Sequence, residues 1–187
     1  MKFLKYIAAG QGAMTLCCLI YAAWWYVAYN PKVNGDQFSG TAGILFWLTF
    51  ACGTVGMYLN ISGIRNLADT RQICLIGVVA YIALLMVTVL IFHRQVTAEL
   101  FLIVAWATME IAAIFAVYNE EIAAGNYPTM LLIVVAATTI FSMVAYLVYY
   151  RVEEWKAFYL GLLPLIADAI GTAIISFFVI SKFGLKI

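Results

Sequence analysis

FYLGLLPLIADAIGTAIISFFVIS, residues 158–181, decides how the rest of the chain is read. As a helix the run is long enough to cross a hydrocarbon core of ~30 Å. Near its middle it carries a carboxylate, Asp168, one turn after Pro164. A charge at the centre of a membrane helix costs about 2.5–3.5 kcal/mol on insertion scales. A chain that keeps one there uses it or pairs it with something.

Working outward, five more runs share this character. Together they predict spans over residues 4–29, 41–64, 73–93, 98–118, 127–150 and 157–181. Each is about 20–26 residues, enough to cross with some tilt. Of the 187 residues, 66% are hydrophobic and 10% charged, whereas soluble domains run near a quarter charged. Backbone groups in lipid must bond within the protein, so such runs are helices. The alternating segments of a membrane barrel are absent from the sequence. The expected fold is all-α: a polytopic membrane protein, a bundle of six transmembrane helices with short loops. Residues 1–187 form a single transmembrane domain with no room for a soluble one. Lys2 and Lys5 precede the first run as in a signal peptide, but the run continues past Ala23 into Trp24, Trp25 and Tyr26 without a small-residue cleavage site. It is expected to stay as an uncleaved first helix.

Polar punctuation separates the spans. Asn30, Pro31, Asn34, Gly35 and Asp36 form a turn-rich loop, and residues 65–72 a short charged one. His93 and Arg94 close the third span, and Thr97 is placed to cap the fourth. Glu120, Glu121, Gly125, Arg151 and Glu153 fall in the remaining connections. Short loops make consecutive helices antiparallel neighbours. With the N-terminus inside, Lys2, Lys5, Arg65, Arg71, Lys182 and Lys186 lie within and Lys32, Arg94, Arg151 and Lys156 without. That bias places both termini in the cytoplasm and the chain, multi-pass, in the cell membrane. Spans one and four end in Ala28-Tyr29-Asn30 and Val117-Tyr118-Asn119, which fits a 3+3 inverted repeat.

Several function classes are excluded. A formal net charge of +1 gives no footprint for nucleic acid. Cys17, Cys18, Cys52 and Cys74 lie in or beside apolar runs and act as small hydrophobes. With a single histidine, no His/Cys metal cluster forms, so neither metal nor cofactor is expected.

Residues three and four apart share a helix face. In the sixth span that face holds Gly161, Pro164, Asp168, Thr172 and Ser176; in the fourth it holds Trp106 and Glu110. Counted from their predicted helix starts, Glu110 and Asp168 lie at similar depth, about 17–18 Å down. The fifth span offers Thr138, Ser142, Tyr146 and Tyr150, and the first Gln11, Thr15, Cys18 and Trp25. Thr49, Gly53, Gly56, Asn60 and Gly63 in the second read as a packing face, since small residues let helices approach closely. Large aromatics crowd the predicted outer end, among them Trp24, Trp25, Tyr26, Tyr29, Phe46, Trp47, Tyr146, Tyr149, Trp155, Phe158 and Tyr159. They read as an interfacial belt or as a vestibule above the carboxylates. Trp24 and Trp25 point in different directions, so one at most lines a vestibule.

No Lys, Arg or His lies at mid-membrane to pair with Glu110 or Asp168. Each is then either a neutral acid bonded to neighbours or a group that binds a cation or exchanges a proton. The leading expectation is a small transporter or channel with a central cavity, carrying a cation, a proton-coupled solute or an organic amine. Its ligand-binding residues are Asp168, Glu110, Trp106, Tyr146, Thr172 and Gln11, with the lipid bilayer and a small molecule, ion or lipid as partners. One alternative is an intramembrane enzyme on a lipid or isoprenoid, with Glu110 and Asp168 as acid and base. No zinc motif, nucleophile elbow or phosphate loop accompanies them, so the balance leans away from an enzyme. The other alternative is a non-catalytic membrane subunit or sensor, in a homo-oligomer or against a partner subunit.

Overall fold

The computed structural model describes residues 2–30, 40–67, 69–92, 98–119, 126–149, 152 and 154–183. Lys32, Asp36, His93, Arg94, Thr97, Glu120, Glu121, Gly125, Tyr150, Arg151, Glu153 and Lys186 lie outside the described residues. Six helices account for almost all of them: α1 (Lys2–Tyr29), α2 (Gly40–Leu67), α3 (Arg71–Phe92), α4 (Ala98–Asn119), α5 (Tyr127–Tyr149) and α6 (Glu154–Phe183). No strand occurs among the described residues. The chain is an all-α bundle in which α1, α2, α4, α5 and α6 are long and apolar enough to cross a membrane. The corresponding apolar stretch of α3, Arg71–Val87, is shorter. These helices turn Leu, Ile, Val and Phe side chains outward on every side, Phe177 at 74% and Ile76 at 67% exposure being examples. Surfaces of that extent belong in lipid rather than water, and the molecule is membrane-embedded.

Local chemistry sets the helix ends. The Asp69 carboxylate accepts the backbone N–H of Arg71 at 3.2 Å, capping the first turn of α3. Pro128 occupies the second residue of α5, where its missing N–H removes no helical bond. Gly40 opens α2 at φ 57°, in the left-handed region that favours glycine. The α6 helix begins three residues before its predicted start and runs through Pro164 without a break.

Packing follows residue size. The face of α2 read as small and close-packing lies against α1: a Cβ on Gly63 would sit 2.9 Å from the Phe3 carbonyl oxygen, and one on Gly10 of α1 would sit 2.8 Å from the Asn60 backbone nitrogen. Gly53 and Gly56 meet Cys17 and Met14 in the same seam. The other side of α1 packs on α6, α6 on α5, and α5 on α4. The α4–α5 pair is antiparallel, since Leu100, Ile103 and Val104 cluster with Tyr146 while Ala113 and Val117 cluster with Leu131 and Val135. The α5–α6 pair is also antiparallel: Ser142 meets Asp168, and Tyr127 meets Phe178. Hence α4 and α6 run in the same sense. The two halves of the chain are not packed alike. Whereas α6 packs on α5, α3 packs chiefly on α4 and stands off from α2 across an apolar cavity of about 320 Å3 lined by Ile61, Arg65, Gly77, Tyr81, Phe101 and Thr108 among others.

Candidate functional site

A layer of polar side chains crosses the interior and touches five of the six helices. Gln11, Asn60, Glu110, Ser142 and Thr172 are fully buried, and Asp168 is 8% exposed. Buried polar groups persist when hydrogen-bonded, and this layer is bonded in two clusters. In the first, the Gln11 amide nitrogen donates to Glu110 Oε2 at 2.8 Å and, more weakly, to Asn60 Oδ1 at 3.4 Å. The Asn60 amide donates to the Gly56 carbonyl at 3.1 Å, which fixes its orientation. In the second, Ser142 Oγ donates to Asp168 Oδ1 at 3.0 Å. Thr172 Oγ1 donates to the backbone carbonyl of Asp168 at 2.8 Å and accepts the Trp106 indole N–H at 2.7 Å.

The Trp106–Thr172 bond fixes where the two carboxylates sit. Glu110 lies one turn after Trp106 along α4, and Asp168 one turn before Thr172 along α6. With α4 and α6 running the same way, the acids are staggered on either side of this bond. The sequence reading placed them at equal depth. It counted residues from predicted helix starts; the earlier start of α6 shifts that count the other way, so the stagger comes from the register between α4 and α6 that the Trp106–Thr172 bond marks.

Only one of the two acids lines the aromatic cavity. A space of about 50 Å3 is lined by Asp168 and Pro164 of α6, Tyr21 and Trp25 of α1, and Tyr146 and Tyr149 of α5, with Leu102, Ile103, Gly161 and Leu165 completing it. Glu110, Gln11, Trp106 and Thr172 are not among its lining residues. The Trp25 indole N–H donates to the Phe158 carbonyl at 3.1 Å, tying the wall of the cavity to α6. Its ring meets Tyr149 at 6.0 Å between centroids, and Tyr149 stacks on Tyr146 at 6.1 Å. Trp24, its neighbour in sequence, is buried instead beside Ala42 and Phe46 of α2. Thus Trp25 faces the cavity and Trp24 the α1–α2 seam. The cavity lies toward the end of the bundle opposite the start of α1 and the end of α6, because it takes the later turns of α1 and the earlier turns of α6. Pro164 cannot donate a backbone bond, which frees the carbonyl one turn earlier, at Leu160.

Asn60 and Ser142 belong to the layer and stand outside the set of candidate residues named from sequence. Both sit on polar stripes legible in the sequence. The stripe of Asn60 is otherwise a glycine packing face, and nothing in its spacing separates an asparagine that bonds across helices from one that only packs.

A carboxylate beneath four aromatic rings can recognise a small cation. The carboxylate supplies a counter-charge, and the ring faces supply cation–π attraction of about 0.5–2 kcal/mol each. A water needs roughly 10–15 Å3 of such space, so the cavity admits an ammonium-sized group or a partly hydrated ion. Among the described residues no cluster of three or more His, Cys, Asp or Glu could hold a metal ion. Comparison with protein families, with curated proteins and with solved structures finds no match.

Replacing Thr172 with valine keeps the shape of the side chain and removes its hydroxyl. The Trp106 N–H, 5% exposed as a residue, is then left in the core without an acceptor. The expected cost is about 1–3 kcal/mol, read as a lower thermal midpoint in detergent. Thr172→Ser keeps the hydroxyl and should recover most of it. Equal midpoints for Val and wild type would show that the Trp106–Thr172 bond does not hold α4 to α6.

Proposed function

We propose that this chain is a small cation transporter or channel, with Asp168 as the carboxylate that meets the permeating ion or organic amine. The observation that carries the reading is the aromatic cavity floored by Asp168, a combination of counter-charge and ring faces suited to a compact cation. Intramembrane carboxylates that face a cavity mark ion and substrate pathways in general. In this reading Tyr146 and Trp25 form the walls. Thr172 and Trp106 form the packed layer beneath, and Gln11 and Glu110 lie one step further along. The Lys/Arg bias puts both termini in the cytoplasm of a cell-membrane protein, so the cavity opens toward the outer face.

The enzymatic alternative needs Glu110 and Asp168 at one substrate, and complete burial of Glu110 away from the aromatic cavity favours transport over it. Charge movement on a solid-supported membrane tests the proposal. Proteoliposomes are exposed to steps of methylammonium, Na+, K+ and protons. At least one step is expected to give a transient above that of empty liposomes. Silence to all of them from verified folded protein would overturn the proposal.

A further inference from the structure

Two polar atoms in the layer are buried without a hydrogen-bond partner: Gln11 Oε1 and Glu110 Oε1. They belong to the two residues already joined by the 2.8 Å bond from Gln11 Nε2 to Glu110 Oε2. Both orphan atoms are acceptors as long as Glu110 is ionised. An ionised Glu110 would then be a fully buried charge held by one neutral donor, a state that costs several kcal/mol when no further bond offsets it. Turning the Gln11 amide over does not help. It exchanges the donor for an oxygen and brings two acceptors together. One proton resolves the whole cluster. On Glu110 Oε1 it makes that atom a donor, and the acceptor on its partner that lacks a donor is Gln11 Oε1.

We infer that Glu110 and Gln11 form a proton-binding site, separate from the aromatic cavity, in which a neutral carboxylic acid and an amide pair through two hydrogen bonds. The Glu110 hydroxyl donates to Gln11 Oε1 while Gln11 Nε2 donates to Glu110 Oε2. Asn60 of α2, anchored on Gly56, holds the amide edge that makes this geometry. The titratable groups that face the site are Asp168 of α6 and Cys18 of α1; α2 contributes the neutral Asn60 and α5 the neutral Ser142 on the Asp168 side. No described Lys, Arg or His lies in the layer to hold Glu110 ionised. Resting on the transport reading, the site supplies the coupling proton. It is staggered from Asp168 across the Trp106–Thr172 bond, so that cation and proton occupy distinct carboxylates.

Infrared difference spectroscopy of the full chain in lipid nanodiscs tests this. At neutral pH the wild type is expected to show the carbonyl band of a protonated carboxylic acid. That band should persist in Asp168→Asn, vanish when Glu110→Gln is added to that chain, and shift in Gln11→Leu as its hydrogen bond is lost. The Glu110→Gln chain can still pair amide to amide and is expected to keep its thermal midpoint. Carboxylate bands alone in the wild type, as a Na+ held by the same oxygens would give, would overturn the inference. So would a protonated band in the Asp168→Asn chain that survives when Glu110→Gln is added. These outcomes do not depend on any flux through Asp168, so failure of the transport reading and failure of this one are told apart.

Discussion

Proteoliposomes carrying Asp168→Asn are expected to lose cation-driven charge movement while the protein stays folded. The substitution preserves shape, and Ser142 Oγ, which donates to Asp168 Oδ1 at 3.0 Å, can donate equally to an amide oxygen. Thr172 bonds the backbone carbonyl at this position rather than the side chain and is unaffected. What changes is the charge beneath the aromatic cavity. Removing one partner of a desolvated ion pair costs about 2–5 kcal/mol, and even ~2–4 kcal/mol corresponds to a ~30- to 1000-fold loss of cation affinity. Removal of a mid-membrane carboxylate also relieves an insertion cost, so the thermal midpoint should hold or rise. Unchanged transients with an unchanged midpoint would mean that Asp168 is a structural acid. Loss of transients with a collapsed midpoint would be settled by Tyr146→Phe, which keeps the ring and removes only the hydroxyl. That variant should retain at least part of the transient if the cavity is the path.

The second large effect is expected at the α1–α2 seam. A Cβ at Gly10 would lie 2.8 Å from the backbone nitrogen and the side-chain Cγ of Asn60. The backbone cannot move aside as a flexible side chain can, so Gly10→Val must push α1 from α2. Overpacking of this kind costs typically about 1–3 kcal/mol and occasionally more. It also displaces Asn60 from Gln11, and Gln11 in turn from Glu110, which leaves buried polar atoms without partners at about 1–3 kcal/mol each. The chain should fail to give a monodisperse peak, or should unfold far below wild type in a detergent thermal series. Gly12→Val is the control. Nothing lies within 4 Å of a Cβ there, and its midpoint should stay near wild type. Gly56→Ala should fall between the two, because its nearest neighbour is the flexible Met14 thioether. Equal midpoints for Gly10→Val and Gly12→Val would sink the account of the seam.

These two positions show how far the sequence reaches. Gly10 and Gly12 flank Gln11 symmetrically and are indistinguishable as letters, yet one meets backbone and the other meets nothing. Asp168 was conspicuous because a carboxylate in an apolar run has a physical cost visible without a structure. Glu110 was conspicuous for the same reason, and its stripe with Trp106 followed from helical spacing. Their relative depth was not legible, because it depends on the register between helices distant in sequence, which no count along one helix supplies. Asn60 and Ser142 were visible as members of stripes and invisible as bonding partners. The partition of Trp24 from Trp25 followed from the angle between successive helical residues, but which of them turned to the aromatic cavity required α2 and α6 in place.

By itself, the sequence determined that the chain is helical, membrane-embedded and costly at two acidic positions. Those properties follow from run length, hydropathy and the price of burying charge, all local quantities. Only the tertiary structure decided that Asp168 floors an aromatic cavity while Glu110 is sealed against Gln11 one step away. That division comes from which helix faces meet, and pairing between faces is set by packing of small residues against backbone many residues apart, which no single segment encodes.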